Sequence, residues 1–174
     1  MTKYQPLKDE EVVRIARGKV QESAASTFTQ MTIDTQLSIE RGVIWMIHGV
    51  EFHIPNPLDL NEVAVDAREY IQLQLTRESQ TSIITPDNPD LIQPYHLQIN
   101  RSAAVGTDAG PLWFVTEFPK KFIYHKPLPY ANQNMYFGMI GTAGAAYSSY
   151  VRVSYTIRTV SDKYFFRVAQ ALLG

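Results

Sequence analysis

The feature that most constrains this chain is a two-residue alternation of apolar and polar side chains, which recurs between Thr27 and Val160. Its first segment sets Met31 and Ile33 between polar neighbours. Such alternation puts one face of a strand on a core and the other face in water. The central part of the chain is therefore predicted to fold as β-sheet.

Six further segments continue the strand pattern, separated by turn signals, and they cover residues 43–54, 70–78, 95–99, 112–118, 134–144 and 150–160. The segment 43–54, VIWMIHGVEFHI, is apolar on both faces and is predicted to be a central strand covered on both sides. The proline-rich segment 119–133 is interpreted as a loop or an edge strand. Seven or eight strands with almost no helix between them indicate an antiparallel sandwich or barrel, and the long connections favour Greek-key crossing.

The two ends of the chain depart from this rhythm and delimit the predicted domain, residues 26–160. In residues 1–25, acids at 9–11 come before bases, an order that suits a short helix, so this segment is predicted to be a helical or flexible arm. Residues 161–174 begin at Ser161, a good N-cap, and are predicted to form an amphipathic helix. Four apolar residues recur on one helical face and three more widen it: Phe165, Val168, Ala169 and Leu172, then Tyr164, Phe166 and Leu173.

Composition narrows the class further. The chain has 174 residues, a net charge of −1 and no cysteine. One domain is the default at this length, and the lack of cysteine excludes disulfides, cysteine-ligated zinc, iron–sulfur clusters and thiol catalysis. Residues 1–21 have no apolar core, and no window approaches the ~18 apolar residues that span a bilayer. We expect a soluble protein that is not secreted through a cleaved signal peptide.

The titratable side chains show no spacing that predicts a metal site. His48 and His53 are five residues apart, so an unbroken strand puts them on opposite faces. We interpret His48 as a hydrogen-bonded core histidine and place His96 and His125 in or near loops. Three aspartates fall in turn-rich segments, where Asp is favoured for its local backbone hydrogen bonds: Asp87, Asp90 and Asp108. The sequence therefore predicts no metal and no cofactor.

No segment carries a motif of catalysis. The stretch GTAGAAYSS, residues 141–149, lacks the lysine and the strand–loop–helix context of a phosphate-binding loop. Ser148 and Ser149 lack a nucleophile-elbow setting. The triplet Asn100-Arg101-Ser102 matches a glycosylation acceptor, a pattern that recurs by chance. The chain is predicted not to be an enzyme and to take no small-molecule substrate.

Direct nucleic-acid binding is predicted to be weak or absent. Residues 1–25 hold five bases and four acids, and this small excess is too little for strong binding by counterion release. Arg152 and Arg158 share a strand face with Tyr150 and form a mildly basic stripe. We interpret that stripe as a solvated sheet face.

The arrangement of these segments resembles the single jelly-roll capsid proteins of icosahedral viruses. The resemblance is carried by FTQMTIDTQLSIERGVIWMIHGVEFHIP as a first strand pair and by MYFGMIGTAG and YVRVSYTIRT as the closing pair. It covers roughly residues 26–160 and implies a jelly roll of about eight antiparallel strands, with a short N-terminal arm and a C-terminal helix. The chain lacks a strongly basic arm, and in this respect it resembles the capsid proteins of tailless viruses whose shells rest on an internal membrane.

The resemblance implies a structural virion protein, made in the host cytoplasm, that assembles into a capsid through lateral barrel contacts and terminal extensions. Its implied partners are copies of itself, other virion proteins and an internal membrane. A terminal helix in a shell has an apolar face to bury against a neighbour, so the ends of the chain are the expected interfaces. The expected interface residues are Val12, Ile15, Tyr164, Phe165, Phe166, Val168, Leu172 and Leu173.

Three other classes remain open, and one of them, a bacterial secreted adhesin or pilus-like subunit, is disfavoured by the missing signal peptide. A carbohydrate- or receptor-binding β-sandwich, such as a phage receptor-binding domain, would use exposed aromatic rings as stacking platforms. Trp113, beside Gly110 and Pro111, is the candidate exposed ring, whereas Trp45 in the doubly apolar strand is expected in the core. A metal-dependent enzyme on a cupin-like barrel would need several converging histidines.

Overall fold

The computed structural model describes residues 12–37, 42–55, 67–102, 112–142 and 146–172. They form nine strands: β1 (Arg14–Gln21), β2 (Thr29–Asp34), β3 (Val43–His53), β4 (Arg68–Thr76), β5 (Leu91–Ser102), β6 (Leu112–Glu117), β7 (Lys121–Tyr130), β8 (Asn134–Gly141) and β9 (Ser148–Thr159). One helix, α1 (Asp162–Leu172), follows β9. The predicted all-β class with a C-terminal helix is confirmed.

The strands build two antiparallel sheets. Sheet A has the order β1-β9-β3-β7, and sheet B has the order β2-β8-β4-β5-β6. The chain changes sheets between most successive strands, so neighbours within a sheet come from distant parts of the sequence. This is the jelly-roll order of two four-stranded sheets, to which β6 adds an extra edge strand on sheet B. The expected jelly-roll sandwich is confirmed, with nine strands among the described residues.

The core lies between the two sheets and consists of the inward residues of the alternating strands. Ile71, Leu73 and Leu75 in β4 are fully buried and meet inward residues of sheet A. The Trp45 ring stacks on Tyr155 at a centroid distance of 3.7 Å. Trp45 is therefore a core residue, as its doubly apolar strand predicts.

The predicted helical arm is wrong over residues 14–21, which form the edge strand β1. All eight residues pair with β9, from Arg14 opposite Tyr155 to Gln21 opposite Ser148. The order of charges suits a helix. However, Gly18 lowers the helix propensity, and pairing with β9 stabilises a strand by more than the charges stabilise a helix. A Cβ on Gly18 would lie 2.9 Å from the Ile33 side chain, so the glycine lets β2 approach β1 closely. Residues 1–11 lie outside the described part of the chain.

A buried carboxylate fastens the end of β1. Glu22, which the sequence counts among the charges of the arm, accepts hydrogen bonds from the backbone N–H groups of Gly141 at 2.8 Å and Tyr147 at 2.9 Å. Its side chain is buried, and these two donors compensate for the loss of water. Glu22 therefore ties β1 to the chain between β8 and β9.

The proline-rich segment 119–133 contains β7, the edge strand of sheet A next to β3. An edge position tolerates Pro127 and Pro129 because a strand there needs hydrogen-bond donors on one side only. Of the two interpretations of this segment, the edge strand is confirmed. β5 is longer than the predicted segment 95–99 and runs from Leu91 to Ser102.

A register shift between Ile47 and Gly49 corrects the predicted placement of two histidines. The extra residue, His48, changes the phase of β3, so that Ile47 and Val50 both face the core. His48 and His53 therefore share the outer face of sheet A. His48 is half-buried, and its Nε2 lies 3.0 Å from Thr156 Oγ1. The prediction of opposite faces assumed an unbroken strand, and the bulge breaks it.

The helix α1 covers the outer face of sheet A at the start of β3. The Ser161 hydroxyl accepts a hydrogen bond from the Tyr164 backbone N–H at 3.4 Å, which confirms the predicted N-cap. Phe165 and Val168 pack with Ile44 of β3 in a second small core. The first half of β3 is thus covered on both sides, as predicted. The prediction is wrong for the second half, because Glu51 and His53 lie on the open outer face of sheet A, beyond the helix.

Candidate assembly and binding surfaces

The sandwich has two lateral sides, which its edge strands define. On one side β1 of sheet A packs beside β2 of sheet B. On the opposite side β7 lies over β5, since the Tyr124 hydroxyl donates to the Ile92 carbonyl at 3.2 Å, and β6 extends sheet B beyond them. We call these the β1 side and the β6–β7 side.

Both lateral sides carry large exposed apolar residues. On the β1 side these are Val12, Val13 and Ile15, of which Ile15 is 50% exposed. On the β6–β7 side they are Phe114, Val115, Phe118 and Ile123, of which Ile123 is 74% exposed. Scattered exposed apolar residues need no explanation, but a concentration of them on edge strands is typical of a contact surface.

The helix divides its expected interface residues into two groups. Phe165 and Val168 are buried against the chain's own sheet, at 3% and 7% exposure. Tyr164 and Phe166 are exposed, at 46% and 56%. The side chain of Leu172 and the whole of Leu173 lie outside the described part. Of the four expected interface residues of α1 whose side chains are described, Tyr164 and Phe166 are the ones that a partner can reach while the helix stays on its sheet.

A cationic patch lies on the outer face of sheet A, away from the helix. The strand pairing sets Arg17 of β1 directly opposite Arg152 of β9, and Arg152 opposite Glu51 of β3. Lys121 of β7 continues this row beyond Glu51. In the next row, Lys19 lies opposite Tyr150 and its Nζ is 5.7 Å from the centre of the Tyr150 ring. These four bases face one carboxylate across the four paired strands.

An open cavity of about 500 Å³ lies within the cationic patch. It is lined by Arg17, Glu51, His53, Tyr150 and Arg152, with Pro55 at its rim. The His53 and Tyr150 rings are 6.1 Å apart. The Arg152 guanidinium lies 3.8 Å from the Glu51 carboxylate. The basic stripe noted in the sequence is thus one part of a larger surface.

The outer face of sheet B carries rings beside amides, with the Arg68 guanidinium next to them. Tyr70, His96 and Phe118 form a row with centroid distances of 6.2 Å and 6.0 Å. Beside the row, Gln98 accepts a hydrogen bond from Arg68 at 2.7 Å and donates to Asn100 at 3.0 Å. Rings and amides on a sheet face can bind sugars.

A hydrogen-bonded carboxylate lies near the β6 edge. Burial would raise the pKa of Glu117, but the Tyr95 hydroxyl donates to it at 2.7 Å and Lys120 lies 3.1 Å away. Together these two groups outweigh burial and lower the pKa of Glu117. Burial raises the pKa of Tyr95 well above its ordinary value, and the carboxylate adds to this effect.

The remaining candidate residues are dispersed. His96 lies in β5 and His125 in β7, so both belong to strands rather than to loops. The pKa of Asp87 is lowered by a hydrogen bond with Thr85 and by one from its own backbone, which agrees with its interpretation as a turn residue. Asp108 and the Trp113 side chain lie outside the described part, although the Trp113 backbone pairs with Arg101. Within the described ranges, no three His, Asp or Glu side chains are placed to hold a metal ion.

The sequence pattern alone predicts neither the cationic patch nor the exposure of Phe114 in β6 and of Phe118, which directly follows that strand. Phe114 and Phe118 are four residues apart in a predicted strand, and this spacing puts them on one face. The patch had no comparable local signal, because its residues come from four strands.

Among the described residues, no helix has the length and apolar character required to cross a bilayer.

No protein-family model matches the chain, and no curated protein matches it in sequence. Among solved structures, the chain is similar to VP1 of the Trichodysplasia spinulosa-associated polyomavirus, with 7% sequence identity and a TM-score of 0.44. The match covers 91% of this chain and 99% of that one. The order of the strands in the two sheets is the basis for the jelly-roll assignment.

Proposed function

We propose that this protein is a structural subunit that assembles with copies of itself into a closed shell, the capsid of an icosahedral virus. The observation that carries the proposal is the presence of exposed apolar residues on both lateral sides of a jelly roll. Other virion proteins and a membrane beneath the shell are the further partners that we expect.

The two lateral sides differ, so contacts between them are head-to-tail. The β1 side presents aliphatic residues, Val13 and Ile15, whereas the β6–β7 side presents Phe114, Phe118 and Ile123. Contacts between two different surfaces build rings when the rotation closes, and rings are the units of a shell. Burial of about 300 Å² of apolar surface contributes about 7 kcal/mol before association costs.

The helix supplies a second kind of contact in this proposal. It is held on sheet A by Phe165 and Val168 and keeps Tyr164 and Phe166 on its outer side. Exposed aromatic residues on a rigid element are efficient anchors for a neighbouring subunit. We therefore assign the interface role of the helix to Tyr164 and Phe166. Leu172 and Leu173 keep their predicted interface role as part of the same proposal.

The experiment replaces Ile15 and Ile123 by aspartate, one at a time, in the full chain. Either charge would have to be desolvated in a lateral contact, so each variant is expected to stay small where the wild type forms large particles. Analytical ultracentrifugation gives the size distribution, and negative-stain microscopy shows whether shells form.

The matched control is Thr81→Asp, which adds the same charge at an exposed position in the connection between β4 and β5, outside both sets of exposed apolar residues. This variant is expected to assemble like the wild type. If all three variants assemble equally, or if the wild type is monomeric at high concentration, the proposed shell function is wrong.

The alternative function, carbohydrate or receptor binding, is favoured by the ring row on sheet B. Tyr70, His96 and Phe118 with Gln98 beside them provide stacking faces and amide hydrogen bonds. A glycan array separates the two functions, since binding that is lost in Phe118→Ser by a protein that does not assemble would favour the alternative.

A further inference from the structure

We propose that the cationic patch on the outer face of sheet A binds single-stranded nucleic acid, with a phosphate between Arg17 and Arg152 and a base on the Tyr150 ring. This activity goes beyond the shell function. The patch adjoins Ile15 and Ile123, which lie in the next row of the same sheet face. It also differs from the weak or absent nucleic-acid binding that the charge of the N-terminal arm predicts.

Two like charges are paired across neighbouring strands in the cationic patch, and this pairing favours an anionic ligand. Arg17 and Arg152 are direct cross-strand partners, and like charges in this position destabilise a sheet. Glu51 lies 3.8 Å from Arg152 and is the cross-strand partner of Lys121. The contacts of the described residues give Arg17 no carboxylate. Two adjacent guanidinium groups thus share one nearby carboxylate, which leaves positive charge for an external anion.

The chemistry of these groups favours phosphate. A guanidinium donates two parallel hydrogen bonds to a phosphate, and two adjacent ones from β1 and β9 can hold a single phosphate from both sides. Lys19 lies two residues along β1 from Arg17 and extends the positive charge along one line. Such a line of cations matches a backbone of successive phosphates.

The cavity and its rings favour a nucleic acid over an acidic protein segment. The volume of about 500 Å³ exceeds what one carboxylate or phosphate occupies and is sufficient for a base as well. Tyr150 is 37% exposed, and its ring borders the cavity beside His53. A nucleic-acid base can stack on such a ring, whereas an aspartate or glutamate side chain has no aromatic face with which to stack. The bases of a duplex are stacked on one another and cannot enter the cavity.

The experiment measures fluorescence anisotropy of a labelled oligothymidylate of about twelve nucleotides, titrated with the full-length chain between about 50 and 300 mM NaCl. A duplex of the same length and an acidic peptide of the same charge serve as competitors. The single strand is expected to bind best, with a salt slope near −2 for about three phosphates neutralised.

Three variants and a control locate the site. Arg17→Gln is expected to weaken binding about tenfold and to reduce the salt slope by about one. Tyr150→Leu is expected to weaken it about tenfold with the slope unchanged, and Tyr150→Phe is expected to keep it. The control is Arg158→Gln, which removes an exposed base on the same face of β9, about 20 Å from Arg152. It is expected to change neither quantity.

Two readouts keep the proposal falsifiable if a variant is altered structurally. In the absence of nucleic acid, Arg17→Gln is expected not to lower the melting temperature, because it removes repulsion and no described partner. Equal losses in Arg17→Gln and Arg158→Gln would show that the binding is nonspecific and would overturn the proposal. Competition by the acidic peptide as effective as that by the single strand would overturn it too, and would assign the patch to a protein.

Discussion

Two neighbouring side chains in α1 differ in burial although one peptide bond separates them. Phe165 packs in the small core with Ile44, while Phe166 points to solvent. Their rings lie 6.2 Å apart, edge to face. A sequence pattern that treats the helix as one broad apolar surface cannot assign these different roles, because the assignment depends on where the sheet lies.

Phe165→Ala is predicted to lower the free energy of unfolding by about 3 to 4 kcal/mol, because it leaves a cavity beneath the helix. Phe166→Ala is the matched control and is predicted to change it by less than about 0.5 kcal/mol. Urea denaturation followed by circular dichroism measures both. Equal losses would mean that the helix does not pack on the sheet through Phe165.

Tyr95→Phe is predicted to raise the pKa of Glu117, because it removes the hydroxyl that donates to the carboxylate at 2.7 Å. The pKa of Glu117 is lowered in the folded protein, so this group adds stability above its unfolded pKa. That contribution is lost as the pH falls through the folded pKa, and in the variant the loss begins at a higher pH. A carbonyl ¹³C NMR titration of Glu117 measures the shift.

The control for this titration is Tyr124→Phe. Burial raises the pKa of Tyr124 to about 12, and its hydroxyl contacts Ile92 and Gln93 rather than Glu117. This variant is predicted to leave the pKa of Glu117 in place. An unchanged Glu117 titration in Tyr95→Phe would contradict the role of the hydrogen bond.

Among the elements, α1 and β1 depart most from a simple view of the chain ends as detached arms. β1 is held by its full pairing with β9 and by the buried Glu22. α1 is held by its cap at Ser161 and by its contact with β3. Both are parts of the barrel that also reach its surface, so we expect the removal of either one to destabilise the fold, whatever its effect on the proposed assembly.

Deletion of residues 161–174 is therefore predicted to destabilise the barrel by about 4 kcal/mol, because it uncovers Ile44 and removes the buried side chains of Phe165 and Val168. The double variant Tyr164→Ser, Phe166→Ser keeps that cover. It is predicted to retain the melting temperature of the wild type and to shift sedimentation toward smaller species. If the double variant assembles fully, the helix serves folding alone.

For the molecule as a whole, the asymmetry of the two lateral sides makes a prediction about mixtures. A variant with aspartate at Val13 and Ile15 keeps an intact β6–β7 side, and a variant with aspartate at Phe118 and Ile123 keeps an intact β1 side. In a head-to-tail arrangement the two variants can join once and no further. Each is predicted to be monomeric alone, and their mixture is predicted to form a one-to-one heterodimer in sedimentation equilibrium. A symmetric contact, in which each side binds itself, would instead give homodimers of the single variants.

Most strands are predictable from the sequence, because the alternation of apolar and polar side chains is a local property. The segments at 43–54, 70–78 and 150–160 all form strands, because their apolar residues repeat at the spacing that a pleated strand requires. The Ser161 cap and the following helix were equally local signals. β1 was missed because its short apolar spacing fits a helix as well as a strand, and a distant partner resolves that choice.

The candidate surfaces were less predictable, because they depend on contacts between segments that are distant in the sequence. Exposed residues such as Ile15 and Phe166 were recognised as apolar, but only their packing shows which of the apolar residues remain uncovered. The bulge at His48 reverses the face of every residue on one side of it. Gly49 within VIWMIHGVEFHI is typical of a bulge, but the pairing with the neighbouring strands decides where the extra residue lies.

The order of residues along the chain was enough to define the class of fold, the helix at its end and the lack of cysteine chemistry, since each depends on neighbours or on composition. The register between β1 and β9 brings Arg17 beside Arg152, and the seat of α1 on β3 buries Phe165 while Phe166 stays exposed. These arrangements depend on which distant strands pair and on how a side chain meets another element. Such contacts minimise the free energy of the assembled barrel, and no local segment contains them.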